Sequence, residues 1–302
     1  MKQLAYLLSI AIFTLASGCG PDINMPSRTI ASEGGAHEMI NEPDDSFGGV
    51  PVAETPVGET PVPVTPLPLP FDDGPEKYNR PWRNPDTVIV IDAYQGNPID
   101  WDRMATDRRV VGVIHRATIG RRVDTQYAAR REIAKRRGYL WGAYHLGDSS
   151  DPITQANLFL DVVGDDPDTL LILDLEDTSN PSMMNVSNAV KFMEYVYRVT
   201  GKVPVVYANH TTTKALNSAL AGHALFRASK LWYARFRSDI PDFPKGIWDT
   251  YFLWQFSSEI NCSKTGSCLY NVPGTQYDMD INVFYGTRAA LEAQWNNNPV
   301  FR

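Results

Sequence analysis

The run Leu170-Leu171-Ile172-Leu173-Asp174-Leu175-Glu176 ends an apolar stretch in two carboxylates placed two residues apart. Side chains in a strand alternate faces with period two, so both acids point to the same side. Crowding and burial oppose ionisation of both at once. One can stay protonated near neutral pH and donate its proton while the other remains an anion. That division of labour is what cleavage of a glycosidic bond requires. Two solvated acids at an exposed strand end are the alternative reading of the same pair, and the surrounding chain separates the two.

Eight short apolar runs read as strands: Val88–Ile91 ending at Asp92, Val110–Ile114 running to Arg116, Tyr139–Tyr144 ending at His145, Leu170–Leu173 ending at Asp174, Val203–Val206 ending at Tyr207, Leu231–Ala234, Tyr251–Phe256, and Met279–Phe284 around Asp280. The first five alternate with helical segments at Asp124–Arg137, Pro152–Val163, Met183–Thr200 and Thr211–Ser229, and Gly138 and Gly201 stand where helices stop. Around Trp101–Asp107 only a short helix fits. After the sixth strand too little helical pattern remains for full crossovers, so loops join the last strands. The fold class expected is therefore α/β: a TIM-like parallel β/α barrel with eight strands and helices mainly between the first five. Such barrels carry their chemistry at the C-terminal ends of the strands, which is where Asp92, Arg116, His145, Asp174, Glu176 and Tyr207 fall. A doubly wound open sheet is the rival, because strand order is invisible in a sequence.

Three segments precede or punctuate this core. Residues 1–18 combine a positive start, an apolar stretch from Leu4 to Leu15 too short to span a membrane comfortably, and the small-residue ending Ala16-Ser17-Gly18 before Cys19. They read as a secretory signal. Residues 19–84 lose all helical and strand period and become proline-rich in ETPVGETPVPVTPLPLP, which predicts a disordered, semi-rigid tether of about 3.1 Å per residue where it is polyproline II. A docking ligand for a partner domain is the other use of such a stretch. Residues 85–302 form the barrel. Within them Cys262 and Cys268 bracket a polar loop and predict a disulfide formed in an oxidising compartment, since no His stands near to complete a metal site. A net charge of −7 without a basic tail gives no reason to expect nucleic acid. Arg121-Arg122, Arg130-Arg131 and Lys135-Arg136-Arg137 cluster around one helix and read as a solvated face.

The ending at Cys19 resembles a bacterial lipoprotein signal, in which that thiol carries lipid, and Gly20 after it resembles the outer-membrane class. VIVIDAYQGNPIDW (Val88–Trp101) resembles the opening segment of glycoside hydrolase family 25, the lysozymes, and the later segments agree in order: WGAYHL, LILDLED, TGKVPVVYA, LWYARF, LWQFSS and YDMDINVF. Together they span nearly the whole globular part. The resemblance implies a barrel of eight strands with helices between the first five, muramidase activity on peptidoglycan glycan strands, and no metal or organic cofactor.

Position by position, the resemblance implies four acids. Asp92, Asp174, Glu176 and Asp280 form the catalytic set, with Glu176 donating the proton and Asp174 either stabilising positive charge on the sugar or orienting a substrate acetamido group. Charge from the other three would help keep Glu176 protonated. Tyr94, Gln95, Tyr144, Tyr207, Tyr233, Trp254 and Gln255 match segments at the barrel mouth and are expected to hold sugar rings, with core packing as the alternative for each. Arg116 keeps a basic substrate contact on the second strand, and His145 is a sugar contact, a brace for the acids or a satisfied buried histidine. Asp278 shares a face with Asp280 if the strand has begun there, and tunes the site or caps the loop. Ile119 departs from the family, many members of which carry an acid before the glycine. The inserted loop NCSKTGSCLYNVPGTQ also departs from it. The expected protein is a lipid-anchored envelope lysozyme. A non-catalytic wall-binding lipoprotein and a hydrolase of another exported polysaccharide are the other readings.

Overall fold

Each apolar run becomes a strand. The structure, a computed structural model, describes residues 74–75, 78–262, 267–276 and 279–300. The signal segment, Cys19, the proline repeats and Asp278 lie outside the described residues. In chain order the strands are β1 (Val88–Ala93), β2 (Val110–Ile119), β3 (Arg122–Val123), β4 (Leu140–Leu146), β5 (Leu170–Leu175), β6 (Val205–Asn209), β7 (Leu231–Ala234), β8 (Leu253–Ser257) and β9 (Asp280–Phe284). The helices are α1 (Trp101–Met104), α2 (Tyr127–Arg136), α3 (Pro152–Val163), α4 (Val186–Thr200), α5 (His210–Leu220), α6 (Ala224–Ala228) and α7 (Arg288–Gln294).

The sheet runs β1-β9-β8-β7-β6-β5-β4-β2, and a further pairing of β1 with β2 closes it into a ring, with β3 folded back on β2 as a hairpin. The open sheet is thereby excluded. One member departs from the all-parallel expectation: β9 runs antiparallel to both β8 and β1. The reason lies in the connection. A parallel neighbour needs a crossover that carries the chain back to the other end, and among the described residues between β8 and β9 there is no helix or strand to do so. The chain re-enters from the same end it left.

Period-two alternation splits the apolar residues into two cores. Val88, Val90, Ile114, Ile172, Val205, Trp232, Leu253 and Phe284 fill the ring, while Ile89, Ile91, Leu171, Leu173, Val206, Trp254, Ile281 and Val283 face outward, where Phe159, Phe192, Met193 and Leu216 of the helices cover part of them. Asp151, Asn185 and Asn209 cap α3, α4 and α5 by accepting backbone N–H groups. The long helix expected over residues 211–229 breaks into α5 and α6 at Ala221-Gly222. Helix α7 has no counterpart in the sequence reading. With Trp295 it closes the lower end: Trp295 Nε1 donates to the Trp141 carbonyl at 2.9 Å, and a Cβ at Gly142 would meet the indole at 3.4 Å.

The barrel recruits chain from ahead of residue 85. A 3-10 turn at Pro81–Arg83 stacks Trp82 on Phe256, with ring centroids 5.1 Å apart, and Tyr78 packs edge-on to Tyr285 at 5.3 Å. Arg109 donates to the Trp82 carbonyl at 2.6 Å and chelates Asp107 at 2.9 Å, while Tyr270 joins the same cluster. This segment and the loop bearing Tyr270 thus stand outside β8, β9 and β1, where the last strands bring no helix of their own. Trp82→Ala is expected to lower stability by about 2–3 kcal/mol, and a chain beginning at residue 85 to unfold at lower denaturant than one beginning at residue 74. Equal midpoints in urea would show that the segment only rests on the barrel.

Candidate active site

The carboxylates converge because of strand parity and of the reversed β9. Asp92 lies near the upper end of β1 and Asp280 at the lower-numbered end of β9, and the antiparallel register sets them directly opposite each other. Asp174 pairs with Leu146 on one side and Tyr207 on the other. Its side chain faces the interior, 7% exposed. Glu176 follows the last residue of β5 and is exposed at the mouth. Its position is fixed through its backbone: Asn209 Nδ2 and Thr212 Oγ1 donate to the Glu176 carbonyl at 2.7 and 2.6 Å. The Asn209 Oδ1 meanwhile accepts from Thr212 N at 3.0 Å as the cap of α5.

Gln255, fully buried, joins the set from β8. Its Oε1 accepts from the Tyr207 hydroxyl at 2.7 Å and its Nε2 donates to Asp92 at 3.1 Å. The other oxygen of Asp92 and one oxygen of Asp174 are buried with no hydrogen-bond partner among the described residues, so each keeps an acceptor for a proton or a donor. Burial first, and then the Asp280 carboxylate, push Asp92 well above the usual carboxylate range against the pull of Arg116 and Gln255. Asp174 rises for the same first reason, followed by repulsion from Glu176, Asp92 and Asp280. Glu176 also rises, and its cause is burial: it is open at the mouth, yet enough protein crowds the carboxyl to disfavour its charge. The sequence expectation gave that role to neighbouring charge, which acts here mainly on Asp174 and Asp92. Burial and crowding at this mouth therefore favour the protonated form of each of these carboxyl groups.

Around the acids stand Tyr144 and Tyr207, buried and edge-on to Trp232 at 6.4 and 4.7 Å. Arg116 lies 4.8 Å under the Tyr94 ring and pairs with Asp124 at 3.3 Å, and the Tyr94 ring itself is 41% exposed. Gln95 accepts from Thr125 at 3.0 and 2.9 Å.

Three expected contacts are not at the mouth. His145, Tyr233 and Trp254 occupy the outward positions of their strands and are fully buried. His145 stacks on Phe192 at 4.9 Å, bonds Thr118 and Gln155, and is held neutral by burial, its pKa lowered to about 4. The Tyr233 hydroxyl meets His210 Nδ1 at 2.7 Å, and Trp254 Nε1 donates to the Arg235 carbonyl at 2.7 Å. In each case the neighbour in sequence faces inward: Tyr144, Trp232 and Gln255.

Arg130 also departs from the expected solvated face. It donates to the carbonyls of Tyr94 and Asn97 at 2.8 and 2.7 Å and to His115 Nε2 at 3.0 Å, clamping the loop that carries Tyr94 and Gln95. Asn209, Thr212, Asp124 and Arg130 left no recognisable signal in the sequence, whereas Trp232 and Asn282, joined at 2.7 Å, were findable from strand parity alone. Cys262 and Cys268 are bonded. Among the described residues no group of three or more His, Cys, Asp or Glu is placed to hold a metal ion, and no helix is long and apolar enough to cross a membrane.

The family model described as glycosyl hydrolases family 25 matches residues 89–265, more than half of the chain. That span ends before β9. Among curated proteins no significant match is found. Similar solved structures include the bacterial lysozyme from Streptomyces coelicolor, with 24% identity, a TM-score of 0.57, and coverage of 70% of this chain and 98% of that one. A muramidase from Acremonium alcalophilum is 23% identical with a TM-score of 0.53, covering 69% and 99%. A family 25 glycosyl hydrolase from Bacillus anthracis is 22% identical with a TM-score of 0.52, covering 68% and 92%. At these identities the likeness is one of fold.

A carboxyl group raised on folding binds its proton more tightly in the native chain, so native stability falls as pH climbs from the unfolded value through the folded one. Asp92→Asn keeps an acceptor for Gln255 and removes that charge. The variant is expected to melt above the parent at neutral pH, with the gain shrinking to nothing as pH drops below the ordinary carboxylate range. A gain independent of pH in thermal unfolding would rule out the electrostatic cause.

Proposed function

This chain belongs to the glycosyl hydrolases of family 25, and from that premise we propose that it is a lysozyme, a peptidoglycan hydrolase cleaving the β-1,4 bond between N-acetylmuramic acid and N-acetylglucosamine. The observation that carries the reading is the placement of an open Glu176 beside a buried Asp174 at one end of the ring, with Asp92 and Asp280 opposite each other at the same end. In this scheme Glu176 gives its proton to the glycosidic oxygen as the bond from the anomeric carbon breaks, and the leaving sugar departs with a free hydroxyl. Asp174 acts in this step as the anion, a charge favoured when Asp92 and Asp280 hold protons and their repulsion is lifted while Arg116 still draws it down. It either opposes the positive charge on the anomeric carbon or orients the acetamido group of the substrate. Water then supplies the hydroxyl of the new reducing end and returns a proton to the Glu176 carboxylate.

Wall binding without cleavage is the second reading. Neutral sugar rings do not require four carboxyl groups gathered against their own repulsion, which favours the enzyme. Incubation with peptidoglycan followed by mass spectrometry is expected to yield fragments with reducing N-acetylmuramic acid ends. Glu176→Gln should lower their release by about 10²–10⁴-fold while leaving the wall bound. Activity should fall as pH rises through the raised Glu176 value, because the donor form is then lost. If the parent and the variant both bind the wall and neither releases fragments, the chain is not a muramidase.

The anchored location is part of the same proposal and rests on the sequence of residues 1–20. A lipid on Cys19 and a proline-rich tether would hold the barrel against the cell wall from the outer membrane. Cys19→Ala is expected to move the protein from the membrane to the soluble fraction, and unchanged partition would count against lipidation.

A further inference from the structure

The mouth is not acidic on every side. β2 is the longest strand of the ring and folds back through Gly120, at φ +52°, into β3. Ile119 pairs with Leu146 of β4, whose side chain packs on the inner cluster, and with Arg122 of β3. Paired residues on neighbouring strands share a face. Arg122 therefore lies on the site-facing side of the hairpin, and Arg121 occupies the turn beside it.

Both arginines are exposed, and neither forms an ion pair with a described residue. The other basic groups at this side are committed: Arg116 to Asp124 and the Tyr94 ring, Arg130 to the carbonyls of the loop after β1. Asp148 lies under the turn at Gly120, where its carboxylate accepts from Ser150 N and Oγ at 2.8 and 2.5 Å.

Two uncommitted guanidinium groups thus stand on a rim above a floor of carboxyl groups. A neutral sugar has no use for them, and a carboxylate on the ligand would be repelled by the floor and drawn to this rim. Guanidinium groups match a carboxylate in both charge and geometry. We infer that the β2–β3 hairpin, through Arg122 and Arg121, receives a carboxylate borne by the glycan strand and so fixes the orientation in which the strand crosses the acids. The inference rests on the reading of the chain as a peptidoglycan hydrolase. There the carboxylate belongs to the peptide substituent wherever the lactyl group is amide-linked to one, and to the lactyl group itself only where the strand is bare of peptide.

Binding tests it apart from catalysis. Whole chain carrying Glu176→Gln, with and without Arg121→Gln/Arg122→Gln, is co-sedimented with purified insoluble peptidoglycan at low salt. The arginine variant is expected to bind about 3- to 10-fold more weakly, with the difference vanishing at about 1 M salt, where the screening length is about 3 Å. On peptidoglycan whose carboxylates have been amidated the two proteins should bind alike. Glycan strands stripped of peptide by an amidase distinguish the sources. These strands carry newly freed lactyl carboxylates and no longer sediment, so binding is read on immobilised strands. A difference that persists shows that the hairpin accepts the lactyl carboxylate of bare strands, and one that disappears assigns the peptide.

Arg83→Gln/Arg136→Gln removes the same charge from exposed positions remote from the hairpin and should have no comparable effect. Equal weakening by this control, equal weakening on amidated peptidoglycan, or no weakening at all overturns the inference. Failure of the parent chain to release fragments, with the binding difference intact, overturns the enzymatic reading and leaves the carboxylate contact standing.

Discussion

Asp92 and Asp280 face each other across β1 and β9, and neither strand can slip by one residue without turning its acid to the opposite side of the sheet. The same register places Val90 beside Asn282 and Val88 beside Phe284, so the pairing that sets the acids also fills the ring beneath them. Were β9 to slip, Ile281 and Val283 would turn inward and the outer apolar layer would lose them. The burial of those side chains opposes the mutual repulsion of the carboxyl groups, because register cannot be relaxed to separate the acids without surrendering the packing.

A closed ring makes that trade possible. Helices cover the outer face from β2 to β7, but the connections around β8 and β9 bring none. The chain covers those strands with what precedes and interrupts the barrel: the turn carrying Trp82, the Asp107–Arg109–Tyr270 cluster and the loop held by the disulfide. Below, Trp295 and Asn297 close the ring. The amide of Asn297 bonds the backbone of Leu171 at 2.8 Å and of Val203 at 3.0 Å, which ties β5 to the chain entering β6. With the lower end filled, a polymer reaches the acids only from the mouth.

Most of this architecture was legible because alternation and apolar runs report burial directly. Strand positions, the helices between them and the convergence of Asp174 with Glu176 followed from period and spacing. What failed did so for physical reasons. His145, Tyr233 and Trp254 sit next to residues that face the interior, and a motif reading that ignores parity cannot tell an inward side chain from its outward neighbour. The reversal of β9 depends on what a connection lacks, and a sequence states that weakly. Arg130 looked like one of several surface charges, since only the folded loop presents the carbonyls it binds. Helix α7 is short, and Trp295 acquires its purpose only once a ring exists to close.

The Asn209 amide spans two consecutive βα units, capping the first turn of α5 with one arm and holding the Glu176 peptide with the other. The depth at which this acid stands is thus referenced to the neighbouring helix and not to the loop that follows its own strand. The stretch from Asp177 to Pro181, ahead of the point where Ser182, Met183 and Met184 are tied back to the loop after β4, is thereby relieved of that metrical duty: it can lengthen, shorten or change composition over evolutionary time while the acid keeps its height above the ring. Reach and contour of the cleft can diversify there independently of the chemistry below.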